Sequence, residues 1–81
     1  MKAAFSNRFI RQFAALSPER KAKFDKQLGF LLTNLRHPSL RAKKYDEAQD
    51  IWQARLDENY RFYFRIEGDT YRMLSIIHHP K

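Results

Sequence analysis

The sequence predicts an α+β domain in which an N-terminal helical hairpin packs on one face of a small, twisted antiparallel sheet. Three observations carry that expectation. Apolar residues recur at 3–4 spacing as far as Leu35, strict alternation takes over from Ile51, and turn residues cut the alternating part into three strands. The 81 residues form one domain, 1–81, near the lower size limit for a single core. Seven Phe, four Tyr and one Trp supply large side chains for that core and argue against disorder.

Residues 2–5, KAAF, read either as a short first strand or as a lead into a helix. From Ser6, Phe9, Ile10, Phe13, Ala14 and Leu16 follow helical spacing. Ser17-Pro18-Glu19 starts a second helix. Ser17 caps it, Pro18 sits where no N–H is needed, and Glu19 suits the positive helix end. Phe24, Leu28, Leu31, Leu32 and Leu35 make its apolar stripe, with Arg20, Lys23, Lys26 and Gln27 on the other side. Pro38 restricts the residue before it, so the helix is expected to stop near Arg36-His37, with His37 held by the helix end.

In the second half, Trp52, Ala54 and Leu56 alternate with Gln53, Arg55 and Asp57. DEN at 57–59 gives a turn, and Tyr60, Phe62, Phe64 and Ile66 then alternate with Arg61, Tyr63 and Arg65. EGD at 67–69 gives a second turn, Gly68 being free to take positive φ. TYRMLSIIH, 70–78, is the third strand.

Sixteen Lys and Arg against nine Asp and Glu give a net charge of +7, which suits a polyanionic partner such as nucleic acid, or an acidic protein. The absence of cysteine excludes disulfides, zinc–thiolate sites and thiol nucleophiles. No apolar run is long enough for a membrane span, and no apolar segment follows Lys2 as in a secretory signal, so a cytoplasmic protein is expected. P-loop, glycine-rich nucleotide and GxSxG motifs are missing.

The basic stretch RHPSLRAKK, 36–44, leads to the sheet from its edge, bringing Arg41, Lys43 and Lys44. Alternation puts Arg55, Arg61, Tyr63 and Arg65 on the sheet face turned away from the helices. Arginine forks, lysine charge and a stackable tyrosine suit RNA. A solvated outer face, with Arg55 or Arg65 paired to Asp57 or Glu67, fits the same pattern equally well. His78 and His79 are neighbours on a strand, so their rings leave opposite faces; one is a candidate proton-transfer group, and a shared metal is not expected.

HPSLRAKK, IWQARLDENYRFYFRIEGD and a last strand ending in HH together resemble the RelE/ParE toxin superfamily, in order along nearly the whole chain. The resemblance implies a toxin of a bacterial or archaeal toxin–antitoxin pair, with a cognate antitoxin as partner and no cofactor. In the RelE branch it implies metal-free cleavage of messenger RNA on the ribosome, the ribose 2′-oxygen attacking the adjacent phosphate. In the ParE branch it implies inhibition of DNA gyrase, and a relative that only binds antitoxin would look similar. Lys43 and Lys44 match the basic strand of the RelE branch, Arg55 and Arg61 its arginine positions, and His78 or His79 its end-of-sheet position. Many RelE-like nucleases carry a tyrosine or acidic residue just beyond the last strand, where this chain has Pro80-Lys81.

Overall fold

Ser6 and Ser17 each open a helix in the computed structural model, which describes residues 1–79. The Ser6 hydroxyl accepts from Phe9 N–H at 3.0 Å to start α1 (Asn7–Ala14), and Ser17 accepts from Arg20 N–H at 3.3 Å to start α2 (Pro18–Thr33). Before them lies β1 (Lys2–Phe5); after them come β2 (Lys43–Asp46), β3 (Ile51–Arg55), β4 (Tyr60–Glu67) and β5 (Thr70–His78).

The strands form one sheet in the order β1-β5-β4-β3-β2. The expected meander is its β3–β5 part, and two edge strands extend it. KAAF is a strand, and it pairs parallel with β5, Ala3 opposite Tyr71, so the sheet is mixed rather than wholly antiparallel. The basic segment does not merely approach the edge: Lys43–Asp46 is itself the outer strand, antiparallel to β3. Leu74 is an extra residue in β5, since Tyr63 faces Ser75 while Phe64 faces Met73. Gly68 takes the positive φ of 60° that the β4–β5 turn requires.

One sheet face carries the core. Phe62, Phe64, Ala54, Met73 and Ile76 are buried there under Phe9 of α1 and Phe24 and Leu31 of α2. Phe24 is the hinge of this packing, its ring 5.2 Å from both Phe9 and Phe62. Each of the larger of these side chains, Phe, Leu, Ile or Met, contributes about 1.5–3 kcal/mol when removed from water. Ile10, apolar by spacing, is instead 53% exposed.

Two expectations for α2 are corrected. The helix ends at Thr33, not near Arg36-His37, because Asn34 turns extended and its side-chain oxygen takes Arg36 N–H at 3.0 Å. His37 then stacks on Phe30 at 3.7 Å and accepts Ser39 N–H through Nδ1. Gln27, read as part of the polar side, is 1% exposed. Its amide donates to the carbonyls of Ser39 and Arg55 and accepts from the Ser39 hydroxyl, so burial leaves it fully bonded.

Candidate nucleic-acid interface

The β3–β4 turn, the end of β5 and the 39–41 segment meet at one end of the sheet. Leu40 is fully buried and its carbonyl accepts Arg55 N–H at 2.7 Å, extending the sheet edge beyond β2. The next residue, Arg41, has φ 46°, which turns the chain outward and leaves its side chain exposed. Lys23, Arg41 and Arg55 line a cleft of ≈ 290 Å³ together with Gln27, Asp57 and Glu58.

Arg55 and Arg61 are direct cross-strand partners, so both side chains leave the face opposite the core. Arg61 Nη1 donates to the carbonyls of Asp57 and Tyr60 at 2.7 and 3.0 Å, which fixes the guanidinium over the β3–β4 turn; its other N–H groups meet no acceptor among the described residues. Neither arginine pairs with a carboxylate among the described residues. Asp57, the nearest candidate, is engaged elsewhere: its carboxylate takes the N–H groups of Asn59 and Tyr60 and Arg20 Nε at 3.0 Å. Burial would raise its pKa, but those hydrogen bonds outweigh it and hold the carboxyl below its ordinary range.

The two histidines stand at and just beyond the end of β5. His78 is the cross-strand partner of Tyr60, edge-on to its ring at 5.6 Å, on the core side of the sheet. Arg20 covers the same tyrosine ring at 4.3 Å. His79 follows Ile77, the partner of Arg61, and its N–H donates to Asn59 O at 2.6 Å; the alternation carried one residue further puts it on the Arg61 face.

The lysines separate too. Lys43 faces Gln53 on the open side and is exposed, whereas Lys44 faces Trp52 on the core side, 5.2 Å from its ring. Lys44 is held by Asp50 and, at 3.9 Å, by Glu47, and the Asp50 hydrogen bond raises its pKa. Arg65 donates to Gln49 O at 3.1 Å, at the far end of the sheet from Arg55. Tyr63 lies on the open face between them, with Tyr45 edge-on at 4.9 Å. Pro80 and Lys81 lie outside the described residues.

Alternation in the sequence put Arg55, Arg61, Tyr63 and Arg65 on one face, where the register has them, but it was not carried to β2, where Lys43 shares that face and Lys44 does not. It did not single out Lys23, which reaches the cleft from α2, or Tyr45, although Tyr45 stands two residues from Lys43. Among the described residues no three His, Cys, Asp or Glu side chains converge as a metal site would need, and no helix is long and apolar enough to cross a membrane.

No family model and no curated protein matches the sequence. Solved structures do match the architecture. A YoeB/ParE toxin from Agrobacterium tumefaciens superposes with a TM-score of 0.81 at 11% identity, over 99% of this chain and 100% of that one. The fold is that of the RelE/ParE-like toxins. The YoeB of a YoeB–YefM complex from Staphylococcus aureus gives 0.80 at 13% identity, covering 99% and 98% of the two chains. The RelB–RelE antitoxin–toxin complex from Methanococcus jannaschii gives 0.74 at 18%, covering 93% and 88%. Within the RelE/ParE-like fold, the end of the sheet opposite the β4–β5 turn is where Lys23, Arg41, Arg55 and Arg61 gather with no carboxylate ion-paired to them among the described residues.

Proposed function

We propose that this protein is the toxin of a toxin–antitoxin pair and acts as a metal-free endoribonuclease on messenger RNA at the ribosome. The observation that carries the reading is the Arg55–Arg61 pair. Two like charges set directly opposite each other on a sheet repel, and no carboxylate among the described residues relieves them. A phosphodiester bound between the two guanidiniums supplies the missing charge and accepts bidentate hydrogen bonds.

In the proposed reaction the ribose 2′-oxygen attacks the adjacent phosphorus, its proton passes to a base, and the 5′-oxygen leaves protonated. The products are a cyclic phosphate and a 5′-hydroxyl. Arg61, fixed by the turn carbonyls, positions the scissile phosphate. Arg55 stabilises the charge that builds on its oxygens in the transition state. His79, on the same face, is the proton-transfer group, a role worth roughly 10²–10⁴-fold. Lys43 and Arg41 hold flanking phosphates. Lys44, neutralised by Asp50 and turned to Trp52, and His78, packed on Tyr60, are left out of the machinery.

The cognate antitoxin is the second expected partner; a YoeB–YefM structure from Staphylococcus aureus and the Methanococcus jannaschii structure above are toxin–antitoxin complexes. Primer extension on cellular messenger RNA after induction tests the reading. New 5′ ends that vanish in Arg55→Ala and Arg61→Ala support it. Growth arrest with intact messenger RNA moves the protein to gyrase inhibition, and absence of both leaves an antitoxin-binding relative.

A further inference from the structure

Beside the Arg55–Arg61 pair, the open sheet face holds a second hollow, of ≈ 240 Å³, lined by Arg8, Tyr45, Ile51, Tyr63, Leu74 and Ile77. Tyr45 is 61% exposed and Ile77 41%, an unusual concentration of uncovered apolar surface on a chain of this charge. The volume falls below the range of about 300–1,000 Å³ that takes a drug-sized ligand, and so fits a single ring system. The two tyrosine rings stand at 68° with centroids 4.9 Å apart, so a planar ring entering the hollow stacks on one and meets the edge of the other. Burial raises the Tyr63 pKa, with Tyr45 adding to the rise and Arg61 opposing it. Its hydroxyl therefore stays neutral and available as a donor.

We infer that this hollow is a base-stacking subsite for the nucleotide next to the phosphate held by Arg55 and Arg61, a role resting on the ribonuclease reading above. Ile77 faces Arg61 and Ser75 faces Tyr63, so the hollow starts beside Arg61 and its tyrosine wall stands one pleat, about 6.8 Å, along the strand from the cations. One nucleotide of an extended single strand spans that step. Arg8 supplies a positive rim on the far side. An apolar peptide side chain would fill the same walls but would leave the flanking guanidiniums without anions, so the charge favours RNA.

The test is fluorescence anisotropy with a labelled single-stranded RNA hexamer and an abasic hexamer of equal length, on the full chain. Tyr45→Ala is expected to weaken the base-containing hexamer about tenfold or more, as stacking loss does, without changing its salt slope. Tyr45→Phe is expected to retain parental affinity, and the abasic hexamer to bind parent and Tyr45→Ala alike. Equal binding of the base-containing hexamer by parent and Tyr45→Ala overturns the subsite, as does unchanged RNA affinity combined with lost self-association or antitoxin binding, which makes this face a protein interface. Primer extension separates the two readings. Cleavage by the parent with no effect of Tyr45→Ala on binding sinks the subsite alone, and a Tyr45→Ala binding defect without parental cleavage supports the subsite while removing the nuclease.

Discussion

The two ends of the sheet treat positive charge in opposite ways. At the end with the β2–β3 and β4–β5 turns, Lys2 meets Asp69 at 3.7 Å, Arg72 meets Glu67 at 2.8 Å, Lys44 meets Asp50 and Glu47, and Arg65 rests on the Gln49 carbonyl. At the other end, Arg20 pairs with Asp57 through a 3.0 Å contact, while Lys23, Arg41, Lys43 and Arg55 have no carboxylate partner among the described residues. Stability does not explain the contrast, because exposed pairs are worth only about 0–1 kcal/mol each. In a chain of net charge +7, every uncompensated cation adds to self-repulsion. The first end therefore looks like ordinary solvated surface, and the second like a surface whose counter-charge comes from outside.

The largest effect that breaks or sharpens this comparison is on cleavage. Arg55→Ala and Arg61→Ala are expected to reduce messenger-RNA cleavage by orders of magnitude, since charge fixed for the transition state is what they remove. Arg72→Ala, which deletes an equally charged side chain at the paired end, is expected to leave cleavage intact. Melting curves must accompany the series. Arg61→Ala also loses two hydrogen bonds to turn carbonyls and should cost about 1–2 kcal/mol of stability, whereas Arg55→Ala, with no such bonds, should cost less. Equal cleavage by the Arg55 and Arg72 variants would erase the functional difference between the two ends.

The second effect is on stability and concerns how the cation-rich end is held. Gln27 ties α2 to the carbonyls of Ser39 and Arg55, at 3.1 and 2.8 Å, and so positions both the 39–41 segment and the end of β3. Gln27→Leu leaves buried carbonyls without a donor and is expected to cost about 2–4 kcal/mol in urea unfolding. At temperatures where the variant remains folded, cleavage is expected to fall as well, because Arg55 loses its support. A stable variant with unchanged cleavage would mean that the β3 end needs no brace from α2.

These residues also mark what the sequence could reveal. Local signals were legible: Ser6 and Ser17-Pro18 as helix starts, the alternation of β3 and β4, and Gly68 in its turn. Each depends on neighbours within a few residues. The pairing of KAAF with β5 was not legible, because the parallel register of Ala3 with Tyr71 joins opposite ends of the chain. Gln27 gave no sign of burial, since the carbonyls that satisfy it come from two distant segments. Within the site, alternation puts His78 beside Tyr60, as the register has it. The same rule separates Lys43 from Lys44, and reading them as one basic pair overlooked it.

A third effect, on acid stability, tests the Arg20–Asp57 ion pair at the cation-rich end. Hydrogen bonds and Arg20 lower the Asp57 pKa below its ordinary value of 3.8. A depressed carboxylate stabilises the fold above that value and loses the contribution as pH falls through the folded-state pKa. Asp57→Asn keeps a side-chain oxygen for the turn but not the charge, so it is expected to destabilise by about 1 kcal/mol at pH 7. Thermal melts of parent and variant should converge as pH drops below 3.8. A constant difference between them down to pH 2 would assign the effect to packing rather than to the charge.

The smallest effect is on the salt dependence of RNA binding, and it separates two adjacent residues. Lys43 and Lys44 carry the same charge in the same strand, but Lys43 is exposed on the open face while Lys44 is neutralised by Asp50 and sits against Trp52. Each phosphate contact releases counterions and contributes roughly 0.7 to the slope of log K against log salt for a single strand. Lys43→Ala is therefore expected to lower the slope by about that amount, and Arg41→Ala to do the same. Lys44→Ala should leave the slope where it was, because an ammonium already paired with a carboxylate has no phosphate to give up. The measurement is a salt titration of single-stranded RNA binding for the three variants beside the parent. If Lys44→Ala lowers the slope as much as Lys43→Ala, then RNA reaches both faces of β2 and the open face is not the sole path of the strand.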